Sequence, residues 1–323
     1  MPDPLLYCKA MGIAAAASAI VVIVLLSLRR LATKSVPNQT WCNAASVVGI
    51  SVGLWIGYAM LALNLSWPPR NGLDRFLLIM IPAVLGVELI AGVNRVPQLV
   101  AWVFRISLSI ATPRILLHDS VYLSNSGDWT SWRSNATIVV CGLGLAFVWS
   151  LLCWLSKRSG GLSLSFSLCL ALQCSGIVVM LAGYVKGGAA AIPLVAVLLG
   201  VTLAQRLATK NAAKAIRIDR GDGFVAAGVI GVGVVSLFSL LFIGRFFGEI
   251  STGPALAMLL APLLCWTTEL PLIKNRKPWF IASVRITLVA ILLLVVLFAA
   301  KQAFDREMAP LLGRSLGQHR NYF

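Results

Sequence analysis

The sequence predicts an all-α integral membrane protein of about ten transmembrane helices, built as two parallel four-helix units joined by a helix pair (4+2+4). Three observations predict it: a composition too apolar for a soluble core, ten apolar segments of spanning length, and a motif series that recurs about 180 residues along the chain. Of 323 residues, 59% are hydrophobic and 12% charged, and the mean hydropathy is +0.89. Soluble domains hold about 45–50% apolar and about 25% charged residues. A soluble core cannot hide this much apolar surface, whereas lipid can. The apolar runs are continuous rather than alternating with period two, which argues helices and against a β-barrel.

The apolar segments, each near the roughly 20 residues that a spanning helix needs, lie at 11–28, 43–65, 76–93, 96–112, 136–155, 162–185, 189–205, 224–244, 253–270 and 280–300. The first has a core longer than a signal peptide's, is followed at once by Arg29, Arg30 and Lys34, and has no small-residue cleavage site after it. It reads as a retained helix with a cytoplasmic basic flank. The third and fourth segments form a tight hairpin around Asn94 and Arg95; the ninth and tenth form another around Lys274 to Pro278.

The net charge is +16, from 27 Lys and Arg against 11 Asp and Glu. In a soluble protein this balance suggests nucleic acid. Here the bases fill short breaks between apolar runs, which fits the positive-inside bias and attraction to anionic headgroups. No pattern of stacking aromatics and basic loops supports nucleic-acid binding. With the segment after the first helix placed inside, the inner stretches hold 14 bases and the outer ones seven, and the C-terminal tail adds four. Both termini are therefore expected to be extracytoplasmic, in the plasma membrane of a bacterium, with the tail the least favourable part of that arrangement. The 206–223 stretch carries five of the inner bases with Asp219 and Asp222, and reads as a solvated positive-inside loop rather than a docking site.

Self-similarity organises the chain. Arg30-Leu31-Ala32-Thr33-Lys34 recurs as Arg206-Leu207-Ala208-Thr209-Lys210, each copy following an apolar helix that opens with a Gly/Ala run. Pro82, Glu88-Leu89, Asn94-Arg95, Pro97 and Arg105-Ile106-Ser107-Leu108 recur as Pro262, Glu269-Leu270, Asn275-Arg276, Pro278 and Arg285-Ile286-Thr287-Leu288. The offsets at three landmarks are 176, 181 and 180 residues. Such constancy implies one duplicated unit. Six crossings separate equivalent points, an even number, so both units share one orientation and the pseudo-two-fold axis lies along the membrane normal. The expected organisation is a first repeat at 1–112, an extracytoplasmic loop at 113–135, a connecting helix pair at 136–185, a second repeat at 186–301 and a polar C-terminal tail at 302–323.

Four ionisable residues fall inside predicted helices: Glu88, Arg105, Glu269 and Arg285. Each is costly in hydrocarbon and needs a partner or a wet cavity. Around a turn centred near residue 96, Glu88 lies eight residues before and Arg105 nine after; around 277, Glu269 and Arg285 lie eight on either side. At about 1.5 Å rise per residue the members of each pair reach similar depth on antiparallel helices. Arginine suits the task because its planar fork binds a carboxylate bidentately. One reading makes each pair a self-neutralising device that fixes hairpin register. The other places both pairs on a polar path between the repeats, the arginines receiving an anionic group and the glutamates a proton.

Prolines 82, 193, 254, 262 and 271 lie within or at the ends of membrane segments. Glycines 49, 53 and 57 cluster in the second and glycines 228, 231 and 233 in the eighth. Gly53 and Gly57 form a small-xxx-small pair that lets helices approach closely. Gln173 and Gln205 are expected to bond neighbouring helices. In the outer loop, Trp129 and Trp132 with Arg133 suit the headgroup belt, and His118 beside Asp119 is a weak surface candidate for chemistry.

No nucleotide-binding loop, zinc-protease, nucleophile-elbow or calcium-loop motif occurs. The seven cysteines form no CxxC, and only His118 and His319 could join them, so no metal site and no cofactor is expected. Three function classes remain: a permease-like transporter of a small solute or lipid headgroup, a non-catalytic scaffold that assembles with another membrane protein, and an intramembrane enzyme on a lipid-linked substrate. The absence of catalytic motifs ranks the enzyme last.

Overall fold

The computed structural model describes residues 4–33, 38–63, 65–123, 130–158, 162–216, 227–269 and 277–318. They are helical throughout, with turns between, and no strand occurs among them. Helix α1 covers Pro4–Thr33, α2 Gln39–Met60, α4 Gln98–Leu116, α5 Ser131–Arg158, α6 Leu162–Leu181, α7 Val185–Ile216, α8 Ala227–Phe246 and α10 Pro278–Gln318. These eight are long and apolar enough to cross a membrane. The protein is thus an all-α, polytopic integral membrane protein.

The remaining two runs are composite. In α3, Gly72–Arg75 passes through a π-helical stretch, Phe76–Met80, into Ile81–Ala91. In α9, Thr252–Leu260 passes into a 3₁₀ stretch, Ala261–Glu269. The π-helical stretch ends two residues before Pro82, and the 3₁₀ stretch begins one residue before Pro262. Proline has no N–H to give to the carbonyl four residues back, and its ring crowds that carbonyl. The backbone relieves this by widening before Pro82 and tightening from Ala261 onward.

Side-chain caps set several helix starts. The Asn38 side chain accepts from Trp41 N at 3.2 Å at the head of α2, and Asn71 accepts from Asp74 N at 2.8 Å at the head of α3. Each satisfies an amide that the first helical turn leaves unpaired.

Helices α1 and α7, which carry Arg30–Thr33 of the first RLATK copy and the whole of the second, lie side by side and parallel. Residues 14, 18, 22 and 30 of α1 sit beside 193, 197, 201 and 208 of α7. The Arg30 guanidinium donates to Ala208 O, joining the ends of the two copies. Antiparallel α2 fits between them on a glycine stripe. A methyl group on Gly49 would meet Val22 and Val201, one on Gly53 would meet Val197 and Ser18, and one on Gly57 would meet Pro193 and Ala14, all within 3.5 Å. In lipid no hydrophobic drive pulls helices together, so close van der Waals contact of this kind is what holds them. Gln205 of α7 crosses to α2, donating to Cys42 O at 2.9 Å and to the Ser46 hydroxyl.

Helix α8 is the centre of the bundle, with 89% of its most apolar stretch buried against 22% for α1 and α10. Sequence boundaries differ from the observed ones at three places. The basic stretch from Arg206 is not loop at its start, because α7 continues to Ile216. The last helix does not stop near residue 300, because α10 runs unbroken through the polar tail to Gln318. Arg75, one of the seven bases assigned to outer stretches, is only 6% exposed, inside the first turn of α3. Lys34, Trp129, the rest of the 206–223 loop from 217, the second turn with Lys274, Asn275 and Arg276, and His319 lie outside the described residues.

Candidate functional site

The α3–α4 hairpin closes on Glu88 and Arg105. Arg105 donates from Nε to Glu88 Oε1 at 2.9 Å and from Nη2 to Oε2 at 2.7 Å. This is the bidentate fork geometry that binds carboxylate most strongly. Glu88 is 0% exposed. Glycine makes room for it: a methyl group on Gly231 of α8 would lie 2.6 Å from Glu88 Oε1. The guanidinium also stands over Trp102 at 5.2 Å and Trp149 of α5 at 6.0 Å, a favourable cation–π arrangement. Asn43 of α2 then ties three helices together. Its amide donates to Glu88 O at 2.6 Å and its oxygen accepts from Gly228 N at 3.0 Å.

The α9–α10 hairpin closes on Glu269 and Arg285, but differently. Arg285 Nη2 reaches Glu269 Oε1 at 3.0 Å. Its Nε donates instead to the Thr268 hydroxyl at 2.6 Å, and Nη1 to the Ser163 hydroxyl of α6 at 3.3 Å. The Glu269 side chain is 17% exposed, against 0% for Glu88. The sequence explains the asymmetry. Val87 precedes Glu88, but Thr268 precedes Glu269 and takes one prong of the fork. Three residues before Arg105 stands Trp102; the same position before Arg285 is Ala282, which offers no ring.

Both predicted pairs therefore form, each inside its own hairpin, and no ion pair joins one to the other among the described residues. His118 and Asp119 lie at the opposite end of the bundle from Glu88 and are 65% and 74% exposed in their side chains. His118 Nδ1 is 2.8 Å from Asp119 Oδ2. Arg75 donates to His118 O and approaches Asp119 Oδ2 at 3.4 Å. Beside it, buried Asp74 accepts from the Ser66 hydroxyl at 2.5 Å. This group latches the start of α3 to the end of α4, and Asp119 turns the chain there in the left-handed region at φ 54°.

Sequence reasoning missed Asn43, Ser163, Thr268 and the Asp74–Arg75 latch. Asn43 carried a usable signal, an amide inside an otherwise apolar run, which in a membrane helix asks for a cross-helix partner. Ser163 carried none, since serine in a membrane helix most often bonds its own backbone. Among the described residues no group of His, Cys, Asp and Glu is arranged to hold a metal ion.

No protein family matches the chain, and neither a curated protein nor a solved structure matches it. What the protein does is therefore read from its own geometry.

Proposed function

We propose that this is a ten-crossing, permease-like protein that moves a small solute or a lipid headgroup between two parallel four-helix units, with both termini extracytoplasmic. The observation that carries the reading is the matched break in α3 and α9. The two discontinuous helices stand at the positions that the sequence repeat pairs, the π-helical stretch of α3 ending two residues before Pro82 and the 3₁₀ stretch of α9 beginning one residue before Pro262. The π-helical stretch ends eight residues before Glu88, and the 3₁₀ stretch runs from Ala261 to Glu269 itself. Paired discontinuous helices at corresponding places in two halves are the usual position of a transport site.

Two further observations support it. The composite helix α3 runs the length of α8: Gly72 at its start packs on Phe247, and Glu88 near its end on Gly228 and Gly231. A run of that reach supports a crossing by α3, and α9 lies along α6 over a shorter stretch, from Met258 beside Ser175 to Cys265 beside Ser167. The parallel course of α1 and α7 agrees with a parallel duplication.

Within this reading the two pairs have different tasks. Glu88–Arg105, sealed and bidentate, is an anchor that fixes its hairpin. Glu269–Arg285, held by one contact and partly exposed, is the pair that opens, Arg285 receiving an anionic group in place of Glu269. Purified protein in liposomes tests it, with radiolabelled phosphate, glycerol 3-phosphate and a fluorescent phospholipid as probes. Flux of one probe above empty liposomes, lost in Glu269→Gln, is the expected result. No flux of any probe overturns the reading.

The second reading is a non-catalytic membrane scaffold or assembly subunit. It is favoured by the closure of each ion pair within its own hairpin. It predicts no flux and a stable complex with another membrane protein on co-purification in mild detergent. His118 and Asp119, exposed and satisfied by Arg75 and each other, carry no enzyme proposal.

A further inference from the structure

A groove of about 510 Å³ opens between α4 and α5 on the outside of the bundle. Gln98, Trp102 and Ile106 line it from α4, and Ser150, Trp154 and Lys157 from α5. Its volume falls within the ~300–1,000 Å³ usual for ligand sites. Gln98 is the first residue of α4 and Lys157 the last but one of α5, so both mark the mouth. Ile106 lies eight residues below Gln98 and Ser150 seven below Lys157. At about 1.5 Å per residue the groove descends roughly 10–12 Å from the helix ends, most of one leaflet's hydrocarbon depth. Its wall is apolar and aromatic, and among the described residues its one charged lining residue, Lys157, is at the top. Arg158 stands beside it, its guanidinium 4.1 Å from the Trp154 ring.

We propose that this groove binds one anionic glycerophospholipid from the same leaflet, an acyl chain lying on Trp102 and Trp154 and the phosphate held by Lys157, Arg158 and Gln98. Charge complementarity selects the occupant. A zwitterionic lipid would fill the apolar wall equally well but bring a third cation to the two bases at the mouth. Basic mouths between membrane helices on the cytoplasmic side recognise anionic headgroups for this reason. The tryptophans set the headgroup level, as interfacial aromatics do. Trp102 also lies under Arg105, so the bound chain presses on the ring that backs the first ion pair and stiffens that hairpin. The proposal goes beyond the permease reading and stands whichever way that reading is decided.

The test is native mass spectrometry of the full chain released from nanodiscs of equimolar phosphatidylglycerol and phosphatidylcholine. The wild type is expected to retain one phosphatidylglycerol in preference. Lys157→Glu with Arg158→Glu, both at exposed positions, is expected to cut the preference by roughly tenfold or more. Ile106→Trp, which fills the groove floor, is expected to abolish retention of that lipid. Millimolar inorganic phosphate is not expected to displace it, because the acyl chain supplies much of the contact. Equal retention of both lipids by the wild type overturns the proposal, as does a preference that survives charge reversal or displacement by phosphate alone.

Discussion

Replacing Glu88 by glutamine separates the two hairpins energetically. The substitution keeps shape but removes the charge that two Arg105 hydrogen bonds, at 2.9 and 2.7 Å, are built around. Arg105 is then a buried guanidinium, 7% exposed, with no carboxylate. Hydrogen bonds to charged groups contribute about 1.5–3 kcal/mol each, and breaking a buried pair by removing one partner costs about 3–5 kcal/mol. The expected loss is therefore about 3–5 kcal/mol. The matched change Glu269→Gln removes one contact at 3.0 Å from a partly exposed carboxylate, and Arg285 keeps Thr268 and Ser163. Its expected loss is that of one hydrogen bond to a charged group, about 1.5–3 kcal/mol. The double change Glu88→Leu with Arg105→Leu removes both charges, and is expected to be more stable than Glu88→Gln. Reversible unfolding in mixed micelles by a denaturing detergent, followed by circular dichroism, measures all three. An equal loss at both glutamates, or a double variant less stable than Glu88→Gln, refutes the distinction between a sealed and an opening pair.

Gly231→Ala drives a methyl group to within 2.6 Å of a carboxylate that cannot yield, so a loss of about 1–3 kcal/mol is expected. Gly86→Ala in the same hairpin meets nothing within 4 Å and is expected to gain up to about 1 kcal/mol from helix propensity; the same unfolding assay reads both. Arg75→Met frees the 117–123 turn from α3, with an expected loss of about 1–3 kcal/mol and faster cleavage there in limited proteolysis. Cys8 is exposed near the start of α1, and a membrane-impermeant maleimide is expected to label it in intact cells; labelling only after permeabilisation contradicts the extracytoplasmic placement of the N-terminus.

The parts of the fold legible in the sequence were those written in local spacing. Glu88 and Arg105 straddle their turn at matched distances, and only a hairpin makes that spacing meaningful. The same holds for Glu269 and Arg285. The RLATK recurrence foretold that α1 and α7 point the same way, though not that they touch. The third and ninth segments were legible as apolar runs, but their breaks were not placed, because a proline fixes where a hydrogen bond is lost and not whether the helix widens or tightens. Arg75 was misjudged because it follows a proline- and glycine-rich stretch, where a base normally meets water. Its partner carbonyl on His118 lies 43 residues away, a contact no window of sequence reveals. The asymmetry between the pairs was present in Thr268 against Val87 and Ala282 against Trp102. It becomes visible only when the recurring positions are compared for what differs.

The proposed duplication rests on α1 and α7 being parallel and in register. Cysteine cross-linking in native membranes, in a variant otherwise free of cysteine, tests this directly. Val22→Cys with Val201→Cys places both thiols beside Gly49, and Ser18→Cys with Val197→Cys uses positions where the serine hydroxyl is 3.5 Å from Val197 O. Both pairs are expected to cross-link rapidly under mild oxidation. The exchanged pair, Ala14→Cys with Val201→Cys, lies about two helical turns out of register and is expected to remain reduced. Cross-linking of the exchanged pair in preference to the first two contradicts the parallel contact, and with it the duplication on which the account stands.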